Sequence, residues 1–213
     1  MLKFRSGFSF FLTVIILVIV GLSFWLKKPS SVLDDYLAAS PPPPPDNFFV
    51  GEEIVPPIPL PEFDLINFDG TRITGSDFKG RYVLLSFAYT SCPDSCPVLF
   101  GRFLSIQDEL GEAIGRDLEL VFITVDPEVD TPERLQAHGA AMKSKWYFLT
   151  EDLSIMQPIW KLFGMQVEKE GALVGHTNVT YLIDTQGLVR VKYFGLPPVS
   201  VFLSDIQQVL AGN

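Results

Sequence analysis

Residues 82–97 read YVLLSFAYTSCPDSCP, and this segment determines the predicted fold of the chain. Its first half, residues 82–89, is a mostly apolar run of the kind that forms a buried strand in the centre of a sheet. Cys92 and Cys96, the two cysteines of the chain, follow directly. Because binding loops in open α/β sheets lie just beyond the carboxyl ends of such strands, we expect both thiols at a functional site.

The residues after Cys96 predict a helix, since Pro97 suits a first helical turn and apolar residues then recur at helical spacing. On such a helix, positions 92 and 96 lie on one face, close to the positive end of the helix dipole, which favours thiolates. Two adjacent thiolates can bind a soft metal ion or form a redox-active disulfide. A structural staple or a pair of inert core cysteines is the alternative, although closing so short a loop removes little entropy from the unfolded chain.

Charge excludes one class of function. The formal net charge is −9, the pI is near 4.7, and Lys and Arg together number 16. A protein that binds nucleic acid needs a basic patch, so we expect no nucleic-acid partner.

The N-terminus predicts a membrane anchor, residues 1–28. Residues 8–26 carry no charge and, at about 1.5 Å per residue, reach roughly 28 Å, close to a bilayer core of about 30 Å. The alternative, a signal peptide, has a shorter apolar region that ends at small residues, whereas here Trp25-Leu26-Lys27-Lys28 follows. The flanking charges favour a cytoplasmic N-terminus only slightly. The segment also lacks the features of a transit peptide, which indicates a bacterial inner membrane.

Residues 29–60 predict a tether, because they contain Pro41–Pro45 and a second proline cluster at positions 56–59. Consecutive prolines favour an extended, semi-rigid polyproline II spacer. Such a segment also suits docking to an aromatic groove, which stays open as an alternative. Whether Phe48-Phe49-Val50 docks on the domain is not decided by the sequence. The remaining residues, 61–213, have the length of one domain.

Within residues 61–213 the periodicity predicts an α/β domain with a thioredoxin-like fold that begins with a β-hairpin. Thr131-Pro132 is typical of a helix start, and Pro158 falls inside another predicted helix. The predicted strands are 63–68, 72–74, 82–89, 118–125, 146–149, 179–184 and 188–194, and the predicted helices start near 97, 131, 152 and 199.

The two histidines of the chain have different predicted roles. His138 falls within the helix that starts at Thr131, and we interpret it as an ordinary surface residue. His176 lies just before the strand 179–184, which runs antiparallel to the central strands of a thioredoxin-like sheet, so it is expected beside Cys92 and Cys96. Two thiolates and one imidazole form a soft, three-coordinate set suited to Cu(I), with room for further ligands to Cu(II). A structural zinc site would need a fourth ligand, and no further Cys or His is evident.

Three motifs in this order resemble the Sco/SenC family: Cys92-Pro-Asp-Ser-Cys96-Pro, Val125-Asp126-Pro-Glu-Val-Asp130-Thr131-Pro-Glu133, and Gly175-His176 followed by Tyr181-Leu-Ile-Asp184. The resemblance covers the anchor and the whole domain. It implies a membrane-anchored copper metallochaperone and thiol-disulfide protein that acts in assembly of the CuA centre of cytochrome c oxidase. It also implies a single-pass protein of the bacterial inner membrane with its C-terminal domain in the periplasm.

The resemblance further implies a role for individual residues. Cys92 and Cys96 correspond to the thiolate ligands and redox-active pair, His176 to the imidazole ligand, and Asp126 to an acidic residue that orients or tunes the ligands. The implied partners are the CuA-bearing oxidase subunit, other copper chaperones or thiol reductants, and the membrane. The chain departs from ordinary thioredoxins, because it has no Trp-Cys-Gly-x-Cys and no proline before Val179.

Other functions stay open at this point. A thiol-disulfide oxidoreductase would reduce the CuA-site cysteines of the oxidase subunit, with His176 activating a thiol. A peroxidase of related fold would use one cysteine to attack peroxide, and a structural adaptor would leave the cysteines and His176 without a task. Whether the protein is an enzyme is therefore undecided from the sequence.

Overall fold

The structure is a computed structural model that describes residues 49–211. In this part the chain forms four α-helices: α1 (Ser95–Leu110), α2 (Pro132–Met142), α3 (Leu153–Leu162) and α4 (Val199–Leu210). It also forms ten strands: β1 (Glu52–Pro59), β2 (Asp64–Asn67), β3 (Arg72–Thr74), β4 (Tyr82–Ala88), β5 (Leu118–Thr124), β6 (Tyr147–Thr150), β7 (Val167–Glu170), β8 (Leu173–His176), β9 (Val179–Ile183) and β10 (Leu188–Phe194).

Eight strands form one mixed sheet in the order β1-β10-β9-β4-β5-β6-β2-β3. The central strands β4, β5 and β6 are parallel, and β9 runs antiparallel to β4, with Thr180 opposite Ser86. The start of β9 therefore lies beside the carboxyl end of β4, as the sequence predicts. The predicted hairpin of β2 and β3 is also present, and it joins the sheet through β6.

The core lies between this sheet and the helices. Every residue of β5 is buried, which matches its apolar sequence. Phe103 of α1 contacts Phe122 of β5 and Phe202 of α4, with ring centroids 4.5 and 6.3 Å apart. The predicted cap of α2 is confirmed, because the Thr131 hydroxyl accepts a hydrogen bond from the Arg134 backbone. These contacts make the elements around the cysteine segment a rigid support.

The N-terminal boundary of the domain differs from the prediction. Residues 52–59, predicted as part of the tether, form the edge strand β1 and pair with β10. Phe49 is buried, and the backbone N–H groups of Val50 and Gly51 donate to the buried carboxylate of Asp205 at 2.6 and 2.9 Å. Prolines are compatible with an edge strand because they need no hydrogen-bond partner on the open side. Because of its proline content, this segment is predicted as a tether, although it forms a strand.

A second, two-stranded sheet of β7 and β8 was not predicted. Its strands have four residues each, β7 is mostly charged and β8 contains a glycine and a histidine, so their periodicity is weak. The Glu170-Gly171 pair at the turn, where Gly171 has a positive φ of 62°, is the signal that indicates it. This hairpin, which we call the histidine hairpin (residues 167–176), ends at His176.

The predicted membrane anchor, residues 1–28, lies outside the described residues. From residue 49 to residue 211, none of the helices has the length and apolar character needed to cross a membrane.

Candidate functional site

The buried carboxylate of Asp130 holds the chain at Thr90, where the segment that carries the cysteines begins. Asp130, which is fully buried, accepts hydrogen bonds from the backbone N–H and hydroxyl of Thr90 and from the hydroxyl of Thr124. The guanidinium of Arg134 donates to the Thr90 hydroxyl at 2.6 Å. The path of the chain between β4 and α1 is therefore set by residues from the β5–α2 connection.

Cys92 and Cys96 occupy different environments. Cys92 is half-buried in the loop before α1, whereas Cys96 is buried in the first turn of the helix. The two sulfurs are free thiols, and the backbone N–H of Cys96 points at Cys92 Sγ, with N and S 3.5 Å apart. Cys92 Sγ therefore lies at the positive end of α1, as the sequence predicts.

This difference in environment separates the acidities of the two thiols. Burial opposes ionisation of Cys92, but the backbone N–H groups of Cys96 and Asp94 and the nearby side chains of Cys96 and Tyr89 favour the thiolate, and the pKa of Cys92 lies below its ordinary value. Burial raises the pKa of Cys96 to about 12, and the neighbouring sulfur of Cys92 contributes to that increase. Cys92 is accordingly the more reactive nucleophile of the pair.

His176 lies across a cavity of about 320 Å³ from the loop that carries Cys92, which we call the cysteine loop (residues 90–94). Cys92, Pro93, Asp94 and Ser95 line one side of this cavity and residues 173–176 of the histidine hairpin line the other. The imidazole Nδ1 lies 3.1 Å from the Thr177 carbonyl oxygen, which can only accept, so Nδ1 carries the proton and the lone pair is on Nε2. Burial lowers the pKa of His176, which favours the neutral ring that a metal ion requires.

The predicted residues are brought together only in part. Cys92 and His176 face the same cavity, while Cys96 lies beneath Cys92 and outside the cavity lining. Within residues 49–211, no three Cys, His, Asp or Glu side chains stand close enough together to hold a metal ion. The donor types, two sulfurs and an imidazole nitrogen with a free lone pair, fit a soft metal ion. Their complete assembly as ligands remains a prediction.

Asp126 contacts a lysine of the histidine hairpin. It is buried, and its Oδ1 accepts a hydrogen bond from Lys169 Nζ at 2.7 Å; the same ammonium lies 2.9 Å from the exposed Glu128. Lys169 belongs to the histidine hairpin. Asp126 thus contacts the element that carries His176, and sequence reasoning missed Lys169 because an exposed lysine on a short strand has no distinguishing pattern.

His138 is not the ordinary surface residue that the sequence indicates. Its ring packs against Phe100 and Phe148, with centroid distances of 4.9 and 6.2 Å, and its buried Nε2 has no hydrogen-bond partner. Burial lowers its pKa; the charge of Asp130 opposes this effect and that of Arg134 adds to it. The residue is part of an aromatic cluster, away from the cysteine cavity.

The fold and this constellation define a thioredoxin-like protein with a dithiol and a histidine at the carboxyl end of its central strands. The SCO1/SenC family model matches residues 56–211, and the chain belongs to this family. An Arabidopsis thaliana relative, the mitochondrial protein SCO1 homolog 1, is 33% identical over 138 residues, which cover 62% of this chain and 41% of that protein. The chain spans about half the length of the curated relatives that it matches first.

Solved structures agree with this assignment. The crystal structure of Arabidopsis thaliana ScoI with copper bound is 27% identical, with a TM-score of 0.63, and the match covers 71% of this chain and 98% of that one. BsSco, a member of the Sco family of cytochrome c oxidase assembly proteins with an identified disulfide switch, is 26% identical, with a TM-score of 0.61. That match covers 76% of this chain and 95% of BsSco.

Proposed function

We propose that this protein binds copper through Cys92, Cys96 and His176 and delivers it to, or prepares, the CuA centre of cytochrome c oxidase. The observation that carries the proposal is the shared cavity of Cys92 and His176, since His176 follows Cys96 by 80 positions and only the fold brings them together. Copper in the ScoI structure and the oxidase-assembly role of BsSco support the choice of metal and target.

The chemistry of the cavity supports a soft ion. Cys92 is the thiol that ionises more readily, and His176 is neutral with a lone pair on Nε2. Cys96 loses its proton only against the cost of burial, and coordination to a cation offsets that cost. These donors suit Cu(I), and Cu(II) can take further ligands.

Release of the metal follows from the unequal exposure of the ligands. Cys92 faces the cavity, so a cysteine of the partner reaches this side first and displaces the ligands one at a time. Oxidation of the pair to a disulfide removes two electrons and two protons and leaves neither thiolate for copper. In an oxidising periplasm a thiol reductant must supply those two electrons before the protein can load again.

We assign the remaining roles on the same basis. Asp126 supports the site through Lys169 and the histidine hairpin, not through contact with a sulfur. Residues 1–28 anchor the protein in the bacterial inner membrane and a proline-rich tether precedes the domain, which lies in the periplasm. The partners are then the CuA-bearing subunit and the copper donors and thiol reductants of that compartment.

The test is a titration of the reduced full-length chain, in detergent, with Cu(I) and Cu(II) separately. We expect one tight copper per chain and thiolate-to-copper absorption. His176→Ala should weaken binding by more than about 100-fold, since even residues that only support a ligand contribute about 10–100-fold. His138→Leu, which changes the other histidine of the chain, is the matched control and should bind as the wild type does.

A thiol-disulfide oxidoreductase acting on the CuA-site cysteines is the second candidate. A half-buried, more acidic Cys92 next to a buried Cys96 is the arrangement of an attacking and a resolving thiol, and it favours this function. Weak copper binding by the wild type, or equal binding by His176→Ala, contradicts the metal carrier and leaves the oxidoreductase as the better explanation.

A further inference from the structure

Tyr89 lies at the junction of the two elements that form the cavity. It directly follows β4 and precedes Cys92 by three positions. Only 4% of its surface is exposed, and it lines the cavity together with Cys92 and His176. A buried tyrosine normally finds a partner for its hydroxyl, and the partner here lies on the histidine hairpin.

Tyr89 makes three contacts that link the cysteine loop to the histidine hairpin. Its hydroxyl accepts a hydrogen bond from the backbone N–H of Val174 at 3.2 Å. Its ring meets the imidazole of His176 edge to face, with centroids 6.2 Å apart and an interplanar angle of 76°. Its backbone carbonyl accepts a hydrogen bond from the Cys92 N–H, with N and O 3.4 Å apart. Tyr89 therefore contacts the cysteine loop through its backbone and the histidine hairpin through its side chain.

These contacts matter because the histidine hairpin is not paired with the main sheet. Val174 lies two positions before His176 on β8, so both side chains point to the same face of the strand. The hydrogen bond from the Val174 N–H to Tyr89 therefore holds in place the face of β8 that carries the imidazole. Lys169 fastens the other strand of the hairpin to Asp126, on a different element from the cysteines.

We propose that Tyr89 is a positioning residue that joins the cysteine loop to the histidine hairpin and thereby holds Cys92 and His176 across the cavity. The proposal rests on the proposed copper function and adds a residue to it. Tyr89 is not a ligand in this arrangement, because its hydroxyl is engaged with the Val174 N–H. It acts through both ligands.

The test compares Tyr89→Phe with Tyr181→Phe in the reduced full-length chain in detergent. The change at 89 removes the hydroxyl but keeps the ring against His176. Tyr181 is a matched control, since its hydroxyl is also buried but donates to the Phe163 carbonyl at 2.8 Å. Both variants lose one buried hydrogen bond, so a general loss of stability affects both.

The first readout needs no metal. In copper-free protein, amide hydrogen exchange at Val174 should accelerate at least about tenfold in Tyr89→Phe and stay near the wild-type rate in Tyr181→Phe, because only the former loses the acceptor of that N–H. The His176 ring resonances should broaden or shift in the same variant. Unchanged exchange and resonances in Tyr89→Phe overturn the proposal, whether or not the protein binds copper.

The second readout uses Cu(II) and follows the thiolate-to-copper absorption and the nitrogen hyperfine splitting from His176. Both signals should change in Tyr89→Phe, with affinity reduced by up to about tenfold, the effect of losing one hydrogen bond that positions a ligand. If Tyr89→Phe gives the same spectrum and copper affinity as Tyr181→Phe, the proposal is contradicted. If the wild type itself binds no copper, the proposed function fails, and the exchange at Val174 still decides the role of Tyr89.

Discussion

Replacement of Asp130 by asparagine should destabilise the domain more than its small change in size indicates. The carboxylate is fully buried, with Oδ2 3.1 Å from the Thr90 nitrogen and 2.7 Å from the Thr124 hydroxyl oxygen. If the amide NH₂ of asparagine takes the place of Oδ2, it faces the Thr90 N–H, and two donors oppose each other. The hydroxyl of Thr124 can rotate to accept, so its bond is exchanged rather than lost.

The magnitude follows from two opposing effects. Hydrogen bonds to a charged group contribute about 1.5–3 kcal/mol each, and the substitution weakens about two of them. Burial raises the pKa of Asp130, which shows that the ionised carboxylate carries a cost that asparagine does not. We therefore expect the free energy of unfolding to fall by about 2–3 kcal/mol.

Urea unfolding followed by tryptophan fluorescence measures this loss. With a slope of about 2 kcal/mol per molar urea, the midpoint should fall by about 1–1.5 M. Asp94→Asn is the control, because Asp94 is exposed and its side chain does not cap α1, so it should stay within about 0.5 kcal/mol of the wild type. A change of less than 0.5 kcal/mol in Asp130→Asn refutes the reasoning.

Two further predictions concern stability. The lowered pKa of His138 means that the unfolded chain takes up the proton more readily than the folded one, so stability is lost as pH falls below about 6.5. In urea unfolding between pH 7.5 and 5.5, His138→Leu should remove part of this loss of stability. The pKa of His176 is shifted in the same direction, and this residue accounts for the rest. If the free energy of unfolding depends on pH in the variant as it does in the wild type, His138 is not the cause. Gly51→Ala places a methyl group 2.4 Å from Val191 Cγ1, so it should detach the start of β1 and cost about 1–3 kcal/mol, seen as faster proteolysis near residues 49–59. Gly101→Ala, where nothing lies within 4 Å, is its control and should be neutral or slightly stabilising; equal proteolysis of the two variants argues against docking through this contact.

Much of the domain follows from local sequence patterns. Three features were predictable: the buried strands β4 and β5, the Thr131-Pro132 start of α2, and the position of the cysteines at the start of α1. Hydrophobic patterning and helix capping depend on a few neighbouring residues, so the sequence shows them directly. The same patterns fail for β1, whose prolines are typical of a spacer, and for the histidine hairpin, whose strands are too short to show a period.

The site shows the same division. Sequence and topology together indicate that His176 comes near the cysteines, since β9 must run antiparallel to β4. They do not indicate that Asp130 holds the start of the cysteine loop, or that Asp126 contacts Lys169 of the histidine hairpin. Both acids belong to one motif, and nothing in the motif says which way each side chain points.

The sequence by itself determined which residues carry the chemistry, because thiols and imidazoles have their donor properties wherever they lie. It also determined the strands and helices whose periodicity is strong. Only the tertiary structure decided that Cys92 is half-buried and Cys96 buried, and that Tyr89 lines one cavity with Cys92 and His176. These facts depend on contacts between elements distant in sequence, and such contacts arise from packing, hydrogen bonding and charge pairing over the whole domain.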